Sequence, residues 1–184
     1  RIGEWQAGAT EDCEATVSLA KGVRGHALKL SYVFRAAGVA YARRALSLDL
    51  SKNFEMTFKV RGKAPRSTFE VKLIDEIGAN VWWKRYPDYE FPEDWTTIRI
   101  RRGDISFAWG PIEDHDLKTI AGMEFVIVGA SGDKASVEFD TLEMRTLPEL
   151  PAVLPPVIAK AGDVPAPAAV DGNPETVWTT DKAT

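Results

Sequence analysis

"FEMTFKV", residues 54–60, sets Phe54, Met56, Phe58 and Val60 on one side of an extended chain and Glu55, Thr57 and Lys59 on the other. Side chains of a strand alternate between faces, so this spacing describes a strand with one side in a core and the other toward water. A helix would need a period of 3.6, which the segment lacks. The same period of two governs its neighbours. "TFEVKLID" (68–75) turns Phe69, Val71 and Leu73 inward, "ALSLDL" (45–50) does so with Leu46, Leu48 and Leu50, and "TTIRIRR" (96–102) with Ile98 and Ile100. "HALKLSYVF" (26–34), "GMEFVIVG" (122–129) and "KASVEFDTLEM" (134–144) read as further strands. The last two are apolar on both faces in places, which predicts central positions in a sheet.

Turn signals such as "SKN" (51–53), "EIGAN" (76–80), "RRGD" (101–104) and "GASGDK" (129–134) separate these runs. About nine or ten strands at this spacing, with no convincing helix between them, indicate an all-β fold, an antiparallel β-sandwich of jelly-roll type. The only helical candidates are a first turn near Trp5 and "DHDLKTIAG" (114–122). At Leu147 the composition changes: "LPELPAVLPPVIAKAGDVPAPAAV" (147–170) alternates Pro with small apolar residues and has no period. The chain therefore divides into a sandwich over 1–147, an extended Pro/Ala-rich linker over 148–168, and a polar, turn-rich segment over 169–184 that reads as the start of another module.

Composition narrows the function classes. The 184 residues are 45% hydrophobic and 27% charged, enough for one domain of about 150 residues and an extension. Net charge is -4 and the pI about 5.3, and the basic residues are scattered except around Arg43–Arg44 and Arg99–Arg102. That distribution argues against nucleic acid, which needs a concentrated basic stripe. No apolar run approaches the roughly 20 residues of a membrane-spanning helix. Cys13 is the one cysteine of these 184 residues, which argues against a disulfide framework or a thiolate metal cluster, and it reads as a small buried apolar side chain.

Catalytic motifs are missing. His26 and His115 lie far apart, and His115 reads as a solvated loop residue. A glycosidase needs only two carboxylates on opposite sides of a bond. Asp75, Glu76, Asp88, Glu90 and Glu93 are candidates, as are Asp94, Glu113, Asp114 and Asp116. With so many available, their presence is no argument, and catalysis is the lesser alternative. Glu4 and Asp140, near the two ends of the sandwich, could hold a structural Ca²⁺, although ordinary acidic loops are the simpler reading.

Aromatic residues concentrate in "NVWWKRYPDYEFPEDW" (80–95), with Trp109 close behind. Strand parity sends Trp82, Lys84 and Tyr86 to one face and Val81, Trp83 and Arg85 to the other, so one of the two tryptophans leaves the core unless both faces are covered. An indole or phenol ring offers a flat apolar platform to the C–H face of a sugar, and a neighbouring Arg or Asp satisfies its hydroxyls. Trp82 or Trp83, with Arg85, Tyr86, Tyr89, Lys84 and Asp88, could supply that combination, while Phe91 and Trp95 read as packing at a corner. If Leu46, Leu48 and Leu50 face inward, Tyr41 and Arg43 face outward, unless a bulge near Ala45 reverses the parity. Arg44 then faces inward and needs a partner or a place at the sheet edge.

Two stretches carry a resemblance. "AVDGNPETVWTT" (169–180) resembles the opening of the discoidin, or coagulation factor 5/8 type C, module through Asp171, Gly172, Asn173, Thr176 and Trp178. The strand sequence of 1–146, from "GHALKLSYVF" to "VEFDTLEM", is similar to β-jelly-roll carbohydrate-binding modules of the galactose-binding-like superfamily. The resemblance implies non-catalytic binding of polysaccharide or oligosaccharide, in a secreted bacterial polypeptide whose adjacent modules include a glycan-active enzyme. Binding would rest on Trp82, Trp83, Arg85, Tyr86, Tyr89, Trp109, Tyr41 and Arg43. It also implies a structural Ca²⁺ between the first and last strands, where Glu4 and Asp140 fall, although "RIGEW" offers only one of the usual N-terminal carboxylates.

Overall fold

The computed structural model describes residues 4–50, 52–148, 160–161 and 164–165. The chain divides into two units, Arg1–Pro148 and Glu149–Thr184. The first contains strands β1 (Trp5–Ala9), β2 (Cys13–Lys21), β3 (His26–Phe34), β4 (Gly38–Asp49), β5 (Phe54–Lys63) and β6 (Ser67–Ile74). It continues with β7 (Val81–Tyr89), β8 (Thr96–Arg101), β9 (Ser106–Trp109), β10 (Thr119–Gly129) and β11 (Lys134–Thr146). In the second unit, β12 (Lys160–Ala161) pairs antiparallel with β13 (Val164–Pro165). The linker and discoidin-like readings of 148–184 otherwise lie outside the described residues.

The eleven strands form a six-stranded sheet ordered β1-β4-β10-β6-β7-β9 and a five-stranded sheet ordered β2-β3-β11-β5-β8. The pairings are antiparallel, and consecutive strands repeatedly change sheet, as in a jelly roll. The apolar faces meet between the sheets. Phe54, Met56, Phe58 and Val60 are all buried, as their spacing requires, and so are Phe69, Val71, Leu73, Ile98 and Ile100. At the centre, Phe125 of β10 and Phe139 of β11 stack across the two sheets with centroids 4.1 Å apart. These two strands are flanked on both sides within their sheets, which explains their two-faced apolarity.

Three expectations are corrected. Among the described residues there is no α-helix. Trp5 opens β1, and 114–122 is a loop running into β10, because Ile120 and Met123 must meet a flat sheet rather than a helical groove. Leu48 is 43% exposed: β4 bulges against β10, where Ala45 faces Gly122 but Leu48 faces Ile120, and the extra residue breaks the parity. Leu46 and Leu50 keep partial contact with the core. Glu55, on the polar side of the opening stretch, is only 1% exposed. Arg145 donates to one of its oxygens at 3.0 and 2.6 Å, and Arg99 and Arg101 donate to the other at 3.4 and 3.3 Å. Burial pushes this carboxyl up, but the hydrogen bonds from Arg145 and Arg101 and the charges of Arg145 and Arg99 outweigh it, leaving its pKa below the ordinary value.

Candidate functional site

The outer face of the six-stranded sheet, turned away from the five-stranded one, gathers most of the chemistry. Its register lines up one row across β4, β10, β6 and β7: Arg43, Glu124, Lys72 and Trp83. The next row holds Tyr41, Val126, Glu70 and Arg85. With strands about 4.8 Å apart, four spacings separate β9 from β4, so the face is about 19 Å wide between Trp109 and Tyr41.

Two tryptophans stand at one side of this face. Trp83 and Trp109 make an edge-to-face pair with centroids 5.5 Å apart and planes at 87°. Trp109 remains 47% exposed. The Arg85 guanidinium lies 5.3 Å from the Trp83 ring centroid and the Lys72 ammonium 5.1 Å from that of Trp109, distances at which a cation is drawn to an aromatic face. Glu70, 3% exposed, fixes both cations: Arg85 Nε is 3.0 Å and Lys72 Nζ 3.3 Å from its carboxylate. Glu124, also buried, faces Lys72 of β6 in the register and approaches Arg43 at 3.7 Å. Burial pushes its carboxyl up, the charges of Lys72 and Arg43 pull it down, and the nearby Glu70 adds to the rise, so its pKa is raised. Buried carboxylates therefore anchor a layer of cations and rings whose outer surfaces stay open.

Tyr41 lies across β1 at the far side. A Cβ at Gly8 would come within 2.3 Å of its ring, so only glycine lets the phenol settle there. The structure thus brings Trp83, Arg85, Trp109, Tyr41 and Arg43 onto one face, where parity alone pairs Trp83 with Arg85 and Tyr41 with Arg43.

It does not bring the other three there. Trp82 is 2% exposed, lies in the core, and donates its indole N–H to the His115 carbonyl at 2.8 Å. Tyr86 stacks on Phe69 at 5.7 Å, and Tyr89 packs on Phe69 at 5.6 Å and on Phe91 at 4.9 Å. Burial, with the charges of Asp104 and Tyr89 adding, pushes the Tyr86 hydroxyl up to about 12. These rings belong to the inner side, where they pack against the core through Phe69 and Phe91. Glu70, Lys72 and Glu124 escaped the sequence reading. They look like ordinary polar positions of alternating strands, and only the pairing of β6 with β10 and β7 puts them beside the tryptophans.

The acidic residues scatter. Asp75 accepts from the Ala79 and Asn80 backbone and from the Asn80 side chain at the β6–β7 turn, Asp88 and Glu90 pair with Arg66, and Asp114 and Asp116 pair with Lys118. His115 stacks on Phe107 at 4.0 Å in an exposed loop. Glu4 pairs with Arg44, which thereby gains the partner its inward position demands. Asp140 accepts the Val23 N–H at 2.6 Å and the Thr141 N–H at 2.7 Å. No group of three His, Cys, Asp or Glu that could hold a metal occurs among the described residues. Ca²⁺ takes six to eight oxygens, a set that Glu4 and Asp140, so engaged, do not fit. No helix among the described residues is long and apolar enough to cross a membrane.

No family model and no curated protein matches this chain. Solved structures do. A family 11 carbohydrate-binding module from a cellulosomal cellulase of Clostridium thermocellum superposes with a TM-score of 0.63 at 17% identity, covering 78% of this chain and 88% of that one. A family 11 module from Clostridium thermocellum in complex with a β-1,3-1,4-mixed-linked tetrasaccharide gives 0.59 at 18% identity, covering 76% and 86%. An agarase gives 0.54 at 16% identity over 79% of this chain but only 24% of its own. At these identities the likeness establishes the shared β-sandwich fold.

Proposed function

We propose that the chain is a non-catalytic carbohydrate-binding module that lays a polysaccharide across the outer face of its six-stranded sheet. The observation that carries this is the Trp83–Trp109 pair, left open beside two cations that Glu70 holds in place. A sugar ring would stack its C–H face on Trp109. Arg85, Lys72 and Arg43 would donate to hydroxyls, and Tyr41 would meet the chain some 19 Å away, a span of four strand spacings. Because the side chains are anchored before the glycan arrives, little conformational entropy is lost on binding. Solved modules of the same fold from glycan-degrading enzymes support the reading. Within it, the module belongs to a larger secreted polypeptide and holds an attached glycan-active enzyme on its polymer, where linkage raises effective concentration.

The rival reading is hydrolysis by paired carboxylates. Glu70 and Glu124 share the face with the tryptophans, but both are buried and turned to cations rather than to an open bond. Affinity electrophoresis through gels of mixed-linkage β-glucan, agarose and xylan tests the proposal, with reducing ends assayed in parallel. Retardation in at least one gel, lost in Trp109→Ala and without reducing-end release, supports it. Mobility equal to that of a non-binding protein in every gel of a full glycan panel would sink it.

A further inference from the structure

We infer that the crevice between the two sheets beside Trp5 is a second ligand site, separate from the outer face, that takes a single neutral sugar or the end of a glycan chain. It is a cavity of about 590 Å³, within the usual range for small-molecule sites. One wall is the Trp5 ring, whose back stacks on Phe125 with centroids 5.4 Å apart and planes at 13°, so the indole cannot swing away. Opposite lie the aliphatic side chains of Leu19, Leu28 and Leu142.

The third wall is built by a bulge. Asp140 faces Lys59 on β5, but Glu143 faces Thr57, so β11 carries one residue more than its partner. Regular alternation would send Asp140 and Leu142 away from the space Phe139 occupies. Instead Phe139, Asp140, Thr141 and Leu142 all line the crevice, and Thr141 sits at φ +48°, a region β-branched residues rarely enter. Bulges of this kind re-aim side chains. Here the result is a carboxylate and a hydroxyl on an otherwise apolar wall.

The polar groups are those a polyol needs. Arg44 Nη2 is held by Glu4, while its Nε–H is buried without a hydrogen-bond partner, a donor that a ligand oxygen would satisfy. Each Asp140 oxygen accepts one backbone N–H and keeps a lone pair for another donor. Arg44 is already paired with Glu4, and the Asp140 carboxylate lines the cavity together with the His26 imidazole, so a neutral ligand suits it better than an anion. Donor, acceptor and a flat apolar platform in one cavity match a neutral sugar ring, which carries hydroxyls at its rim and C–H groups on its face.

The test is an amide and indole NMR titration with methyl β-D-glucopyranoside, methyl β-D-galactopyranoside and cellotetraose. Saturable shifts of the Trp5 indole N–H and of the Val23 and Thr141 amides are expected. They should persist in Trp109→Ala and weaken at least fivefold in Leu19→Arg, which sets a long charged side chain at the mouth from a residue already 53% exposed. Arg44→Lys keeps the charge beside Glu4 but lacks the Nε donor, and should weaken them similarly. If these signals stay fixed up to about 50 mM sugar while the outer face responds, the second site is refuted and the first stands. If they move only in parallel with Trp109, and vanish with it, there is one site and the inference also falls. Movement at Trp5 with no response on the outer face supports the crevice and counts against the face.

Discussion

Trp82 and Trp83 are adjacent, yet the fold gives them opposite tasks, and substitution should separate these cleanly. Trp82→Ala removes a ring that fills the core and should cost about 3–5 kcal/mol in urea unfolding, with glycan retention per folded molecule unchanged. Trp109→Ala should alter stability by less than about 1 kcal/mol and weaken polysaccharide retention about tenfold, as loss of an exposed anchor does. Glu55 gives a pH signature. Its folded pKa lies below the unfolded value of about 4.3, so its stabilising contribution is full above that value and is lost as pH falls through the lowered one. Glu55→Gln should therefore lower the urea midpoint at pH 7, and the gap to the parent should close on acidification. Alternation along single strands already put Tyr41 and Arg43 outward and set Trp83 and Arg85 on a common side. It gave no means of choosing between Trp82 and Trp83, because both faces of β7 are partly covered, or of telling Glu70 and Glu55 from the exposed carboxylates that resemble them.

At the level of elements, the strands were legible wherever the period of two ran unbroken, as in β3, β5, β6 and β8. It failed at two of the bulges. One reverses Leu48 on β4; the other turns Asp140 and Thr141 of β11 toward the crevice. A bulge is one inserted residue whose reason lies in the partner strand, and a single strand's pattern does not contain it. Thr141 makes the second bulge measurable. A β-branched residue at positive φ costs about 1–3 kcal/mol, and glycine escapes most of that for an unfolded-state entropy of about 0.5–1 kcal/mol. Thr141→Gly should thus raise stability by about 0.5–2 kcal/mol in urea unfolding, leaving polysaccharide retention on the outer face as it was. The opposite result would mean that the Thr141 side chain is held by contacts stronger than its strain.

For the whole molecule, the break in composition at Leu147 coincides with the division between Arg1–Pro148 and Glu149–Thr184. Leu147 N–H bonds the Asn53 carbonyl at 3.0 Å, and the Asn53 amide bonds the Pro148 carbonyl, so the last residues of the first unit are fastened to the start of β5. Residues 1–148 alone should therefore show the thermal midpoint and glycan affinity of the 184-residue chain; a drop of several degrees would reveal a stabilising role for the remainder. Which strands neighbour which is a property of this scale: two-faced apolarity marked β10 and β11 as central, but no strand's pattern named its partners, and β4 meets β10, and β3 meets β11, across long separations. The candidate face exists only through those pairings. They also leave two indoles nearly perpendicular and in contact at its edge, an arrangement in which the excited states of neighbouring chromophores mix and split. The Trp83–Trp109 pair should imprint a paired positive and negative band on the circular dichroism spectrum, absent from Trp109→Ala and perturbed when a glycan settles on the ring, so the molecule carries its own optical reporter.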